Sequence, residues 1–147
     1  MKKIIALAGV YDSGKTTALL GLIAKLKSIG GQVLPNQSQV ATVMGKDRRE
    51  VLKICTQGTV YRVGVCTGGD LASTIQDNFS FFQGNRCDVG ITACRAMASS
   101  STVTAVIGET KRRFGLFPFF VAKMKHLSND RQRAGQQAID QLMDMVV

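Results

Sequence analysis

The spacing of apolar residues changes several times along the chain, and each change marks an element. Residues 3–8 form a near-continuous apolar run, the pattern of a strand buried on both faces. From Lys15 to Ile29 the period becomes helical, with Leu19, Leu22, Ile23 and Leu26 on one face. Gly30 and Gly31 supply the stop. Next, "QVATVM" and "EVLKIC" flank the polar turn "GKDRR", and Gly58 sits in the turn before "TVYRVGVC". These read as two or three strands joined by tight hairpins. Alternation in the last of them sets Val60, Arg62 and Gly64 against Tyr61, Val63 and Val65. The same stretch is equally compatible with an irregular excursion.

Beyond "TGGD", Leu71, Ile75, Phe79 and Phe82 mark a second helix, and "CDVGITAC" a strand ending at Arg95. The small-residue loop "RAMASSST" leads to a third helix carrying Val103, Val106, Ile107 and Thr110 on one face. "FGLFPFFVAK" predicts a further strand, which Pro118 assigns to an edge or a late start. A last helix from about Asn129 to Met145 turns Ala134, Ala138, Leu142 and Met145 inward. Alternating strands and helices predict an α/β three-layer sandwich with a mainly parallel central sheet. An antiparallel hairpin excursion follows the first helix. One domain covers residues 1–147, with no repeat, linker or low-complexity segment.

Composition narrows this reading only a little. A hydrophobic content of 45% against 20% charged residues excludes a disordered chain. The apolar runs are too short to cross a bilayer as helices, and Asp12 and Lys15 interrupt the signal-like start "MKKIIALAGV". Cys55, Cys66, Cys87 and Cys94 show no CxxC spacing, and one histidine is a poor basis for a zinc site. Reduced thiols and a cytoplasmic location are the expectation. The net charge of +9 suits nucleic acid, an anionic surface or a polyphosphate substrate without choosing among them.

The stretch "GVYDSGKTT" does choose. Gly9, Gly14, Lys15 and Thr16 match G-x-x-x-x-G-K-[ST] in full, between a strand and a helix. Backbone N–H groups of residues 12–16 can surround a β-phosphate at the positive end of the helix. Lys15 would reach the β- and γ-phosphates, Thr16 would bind Mg²⁺, and Gly14 would allow close approach. The nucleotide-binding set is therefore Gly9, Tyr11, Asp12, Ser13, Gly14, Lys15, Thr16 and Thr17. Tyr11 stacks on a base or substrate, or fills the loop crown, and Asp12 is an acid able to approach a reacting phosphate.

On these residues the chain resembles a small P-loop NTPase. The segment "KKIIALAGVYDSGKTTALLGLIAKLKSIGGQV" is similar to the start of the molybdopterin-guanine dinucleotide biosynthesis adaptor proteins and related nucleotide-binding domains. The histidine-containing segment of those adaptors is absent, and Val10 stands where partitioning-type ATPases carry a signature lysine. The resemblance implies a P-loop fold, a bound nucleoside triphosphate with Mg²⁺, and a second acid at a strand end.

Asp70 of "VGVCTGGD" is the candidate for that acid, although Cys66 and Thr67 occupy the positions where it would ordinarily stand. It serves as metal ligand or as N-cap of the helix beginning at Leu71. Asp88 lies at the start of its strand, away from the carboxyl ends where ligands gather. Gly68 and Gly69 either allow close approach of a phosphate or form a plain turn with positive φ. Arg95, at the end of its strand, either neutralises a transferred phosphoryl group or is solvated. Lys15, Asp70 and Arg95 are thus the catalytic candidates, and Thr16 and Asp70 the metal ligands.

Lys111, Arg112, Arg113, Lys123, Lys125, Arg131 and Arg133 concentrate positive charge in the final third. A helix C-terminus explains the "KRR" run at 111–113 and argues against nucleic acid. Three functions compete: an NTP hydrolase coupling nucleotide state to a partner or a shape change; a small nucleotide or metabolite kinase; and a slowly turning-over adaptor, working as a homodimer or on a protein partner. The absence of an [NT]-K-x-D base-reading motif favours ATP over GTP.

Overall fold

Strand β1 (Lys3–Gly9) is an interior strand of the sheet and leads toward helix α1 (Lys15–Ser28). The computed structural model describes residues 1–10, 14–96, 101–123 and 131–146, without the side chains of 131–134. Next come β2 (Gln32–Leu34), β3 (Val43–Met44), β4 (Asp47–Thr56), β5 (Thr59–Cys66) and α2 (Ala72–Gly84). The chain then forms β6 (Val89–Arg95), α3 (Val103–Phe114), β7 (Phe119–Lys123) and α4 (Arg131–Val146). The fold is α/β, with a mixed, mainly parallel central sheet in the order β2-β4-β5-β6-β1-β7, and β3 paired to β4. Pairings β5·β6, β6·β1 and β1·β7 are parallel, and β4 alone runs against its neighbours.

Each face of the sheet buries a separate core. Helices α1 and α4 cover one face, with Leu19, Leu22, Leu26 and Leu142 packed against Ile5, Leu7, Val65 and Ile91. Helices α2 and α3 cover the other, with Ile75, Phe79, Phe82 and Val106 against Ile4, Ala6 and Cys94. Complete burial of each phenylalanine or leucine contributes about 1.5–3 kcal/mol of transfer free energy. The glycine pair Gly64↔Gly90 in β5 and β6 makes room for Phe82, whose ring atoms would lie 2.7 Å and 2.8 Å from a Cβ at either site. The space over these two glycines thus seats one of the three phenylalanines of α2.

Several boundaries depart from the periodic pattern. The hairpin after α1 is no excursion: β4 and β5 belong to the main sheet, joined by the two-residue turn Gln57–Gly58 with φ of 51° and 75°. "GKDRR" is not all turn, since Gly45 and Lys46 make the bend and β4 begins at Asp47. Strand β2, short and paired on β4, carries no periodicity that announced it. Leu71 is exposed, and α2 starts one residue later. Strand β7 starts just after Pro118 and lies at the edge, so both readings of that proline hold. In α4, Val146 is buried and Met145 only partly so; Asn129 and the Ala134 side chain lie outside the described residues.

Candidate functional site

The carboxyl ends of β1, β5 and β6 face the same way because the three strands are parallel. Strand β4 is antiparallel to β5, so its first residues arrive at that same edge. Together they enclose a cavity of about 370 Å³ lined by residues 14–17, 46–47, 67–70 and Ala93. A ligand crevice outside the carboxyl ends of strands is the expected location in an open α/β sheet.

Gly14 stands at the N-terminus of α1 with φ of 87°, a conformation that favours glycine, and no side chain caps the helix there. The first-turn N–H groups of α1 therefore have no side-chain cap to satisfy them. Lys15 is 7% exposed. Its ammonium donates to the carbonyls of Gly9 at 3.0 Å and Val10 at 2.9 Å, curling back over the turn. Burial lowers the Lys15 pKa, and the neighbouring Asp70 carboxylate opposes that effect while Arg95 adds to it. Tyr11, Asp12 and Ser13 lie outside the described residues.

Asp70 does not cap α2. Leu71 holds the N-cap position without a side-chain bond. The Asp70 carboxylate instead lies 3.8 Å from Lys15 Nζ and 3.7 Å from Arg95 Nε, pairing with both. Because the Asp70 carboxylate is 47% exposed, both pairs are screened and act more as orientation than as stability. Arg95 is therefore held toward the cavity edge and not left as a solvated strand end. Thr102 fastens this corner: its hydroxyl accepts from the Arg95 N–H at 2.8 Å and donates to the Gly69 carbonyl at 2.6 Å.

Gly68 and Gly69 have no positive φ, so the plain-turn reading fails. Close packing requires them. A Cβ on Gly68 would lie 2.6 Å from Asp47 Oδ2, and one on Gly69 would lie 1.8 Å from the Ala93 carbonyl oxygen. Their compactness brings Asp47 to the cavity. Asp47 Oδ1 is 3.4 Å from both the Thr16 and the Thr67 hydroxyls, and the Thr16 hydroxyl is 3.4 Å from the Thr67 carbonyl. This is an all-oxygen donor set of the kind Mg²⁺ takes. Cis ligands of an octahedron with ~2.1 Å bonds stand ~3 Å apart, close to these separations. Among the described residues no three His, Cys, Asp or Glu side chains cluster for a metal. A magnesium site using one or two carboxylates plus phosphate oxygens needs no such cluster.

Periodicity missed Asp47 and Lys46 as cavity residues, and Lys123 as a neighbour of Gly14. Asp47 had a usable signal: counting pair by pair outward from the Gln57–Gly58 turn sets it opposite Gly68. Lys123 is buried at the end of β7, its Nζ 4.0 Å from where a Gly14 Cβ would stand. It is thus a neighbour of the glycine turn, not part of a basic surface. Arg113 Nε donates to Glu109 at 2.8 Å and Arg112 pairs with the same carboxylate, so the basic run is partly neutralised within α3. These arginines hold the Glu109 carboxyl below its ordinary pKa, against the opposing effect of burial. Lys125 and the Arg131 and Arg133 side chains fall outside the described residues.

Asp88 lies at the amino end of β6, accepting from the Arg62 N–H at 2.9 Å, away from the cavity. The cysteines are free; burial pushes Cys87 up to about 12 and Cys94 up to about 11, so both stay neutral thiols. No helix among the described residues is long and apolar enough to cross a membrane. Comparison with protein-family models, with curated proteins and with solved structures finds no match to this chain.

Proposed function

We propose that the chain is a P-loop NTPase that binds Mg²⁺·ATP in the cavity at the carboxyl edge and hydrolyses it, coupling nucleotide state to a partner or a change of shape. One observation carries this reading: Gly14, Lys15 and Thr16 of the G-x-x-x-x-G-K-T motif share a single cavity with Asp47, Asp70 and Ala93 of β6. The first-turn amides of α1 would take the β-phosphate, with Gly14 leaving their approach open. Lys15 holds its charge over the turn on two carbonyls and would exchange them for β- and γ-phosphate oxygens.

Asp70 serves as the resident counter-ion of Lys15 and Arg95, a carboxylate where a terminal phosphate would bring negative charge. Triphosphate binding would release both cations from Asp70, leaving Arg95 to stabilise the phosphoryl group in transfer. Thr16 and Asp47 are the residues that would hold Mg²⁺, which neutralises charge between the β- and γ-oxygens. ATP is preferred to GTP in this reading because no [NT]-K-x-D segment is present.

Two substitutions separate the acids. Asp47→Asn keeps the shape but removes the charge beside Thr16, so the Mg²⁺ concentration for half-maximal phosphate release should rise at least about tenfold. Asp70→Asn should leave that requirement within about twofold, because the residue pairs with cations. Magnesium titrations of phosphate release on both variants provide the check. The reverse pattern would make Asp70 the metal acid. A phosphotransferase is the second reading, favoured by a further cavity that shares Asp47 and Gly68 with the first.

A further inference from the structure

That second cavity, about 300 Å³, opens on the far side of the Asp47–Gly68 wall and is bounded by Met44, Arg48, Arg49, Thr74 and Asn78. Arg49 is 3% exposed, in β4. Its Nε donates to Asn78 Oδ1 at 2.8 Å and its Nη1 to the Ala41 carbonyl at 3.3 Å. The Cys66 thiol is its other neighbour, and burial pushes that thiol pKa well up, so it offers no negative charge. Among the described residues no carboxylate stands within ion-pair distance of Arg49. A buried guanidinium held only by neutral groups is costly, and an anion supplied from the cavity would offset that cost.

The holder of Arg49 is itself fixed. Asn78 donates to the Gly68 carbonyl at 2.8 Å and to the Thr92 hydroxyl at 2.9 Å, so its oxygen is left to receive the arginine. Asn78 thus meets Arg49 with a neutral oxygen, and no carboxylate of the described residues pairs with the guanidinium charge. Arg48, the preceding residue of β4, is exposed and also lines the cavity, and Thr74 lines it from α2. A guanidinium with further polar residues from two elements matches the several oxygens of a phosphate better than the two of a carboxylate.

We propose that this cavity binds the phosphate group of a small phosphorylated molecule, a second ligand beside the nucleotide. Its role as acceptor or effector rests on the nucleotide reading above, but its binding does not. The Asp47–Gly68 wall is common to both cavities, so occupancy of one would be felt by the other.

Inorganic phosphate titrated into ¹⁵N-labelled protein, followed by amide shifts, resolves the two sites. Shifts at residues 44, 45, 48, 49, 74 and 78 report the second cavity, and shifts at 14–17 report the glycine turn. Arg49→Gln should weaken phosphate at the first group of amides at least about tenfold and leave 14–17 unchanged; Lys15→Ala should do the opposite. Should Arg49→Gln fail to fold, Arg48→Gln, at an exposed position, is expected to weaken the same group about three- to tenfold. Silence at 44, 45, 48, 49, 74 and 78 in wild type, or acetate shifting them as strongly as phosphate, overturns the proposal. Silence at 14–17 alone overturns the nucleotide reading instead.

Discussion

Gly69→Ala is expected to cost about 3 kcal/mol or more in folding free energy. The added Cβ would stand 1.8 Å from the Ala93 carbonyl oxygen and 2.5 Å from its carbon. Both are backbone atoms of β6, so no rotamer change relieves the clash. Relief requires the "TGGD" loop to move away from the end of β6, which breaks the Thr102 hydroxyl bond to the Gly69 carbonyl. Gly108→Ala is the control: a Cβ there meets nothing within 4 Å, inside α3. It should stabilise by about 0.4–1 kcal/mol. Urea unfolding of both variants measures the contrast. A Gly69→Ala cost below about 1 kcal/mol would mean the loop does not lie against β6 as described.

Lys15→Ala should weaken ATP binding by about 1.5–3 kcal/mol, roughly ten- to 150-fold. The ammonium's present partners are two carbonyls at the turn, which a charged phosphate outcompetes. AMP lacks the phosphates that Lys15 would meet, so its affinity should change less than about twofold. Calorimetric titration of both nucleotides provides the comparison. An equal loss for ATP and AMP would show that the substitution damaged the fold, and no loss for ATP would remove Lys15 from the site.

Much of the fold was legible because its elements are strongly periodic. The Leu19–Leu26 face of α1 and the Ile75, Phe79, Phe82 face of α2 are buried as their spacing implies. That Gly14, Lys15 and Thr16 stand where β1 gives way to α1 was legible for a different reason, since the motif implies a strand before it and a helix after. Asp47 was hidden because polar residues beside a glycine look like turn, while here they enter a strand whose direction only the sheet reveals. Arg49 was hidden for the same reason, its charge masking a buried position. Asp70 was legible as an acid but not in its role: capping is a local rule, and its actual partners, Lys15 and Arg95, lie far off in sequence. Gly68 and Gly69 suggested a turn, whereas the requirement is tertiary: Asp47 and the end of β6 leave no room for a side chain.

The central claim is that the cavity between the glycine turn, Asp47 and Asp70 turns over a nucleoside triphosphate with magnesium. The fate of the label from [γ-³²P]ATP incubated with the protein tests it most directly. Label is expected to leave as free phosphate only when Mg²⁺ is present, and Lys15→Ala is expected to abolish its release. Label remaining in ATP with Mg²⁺ present, or released equally by wild type and Lys15→Ala, would contradict it.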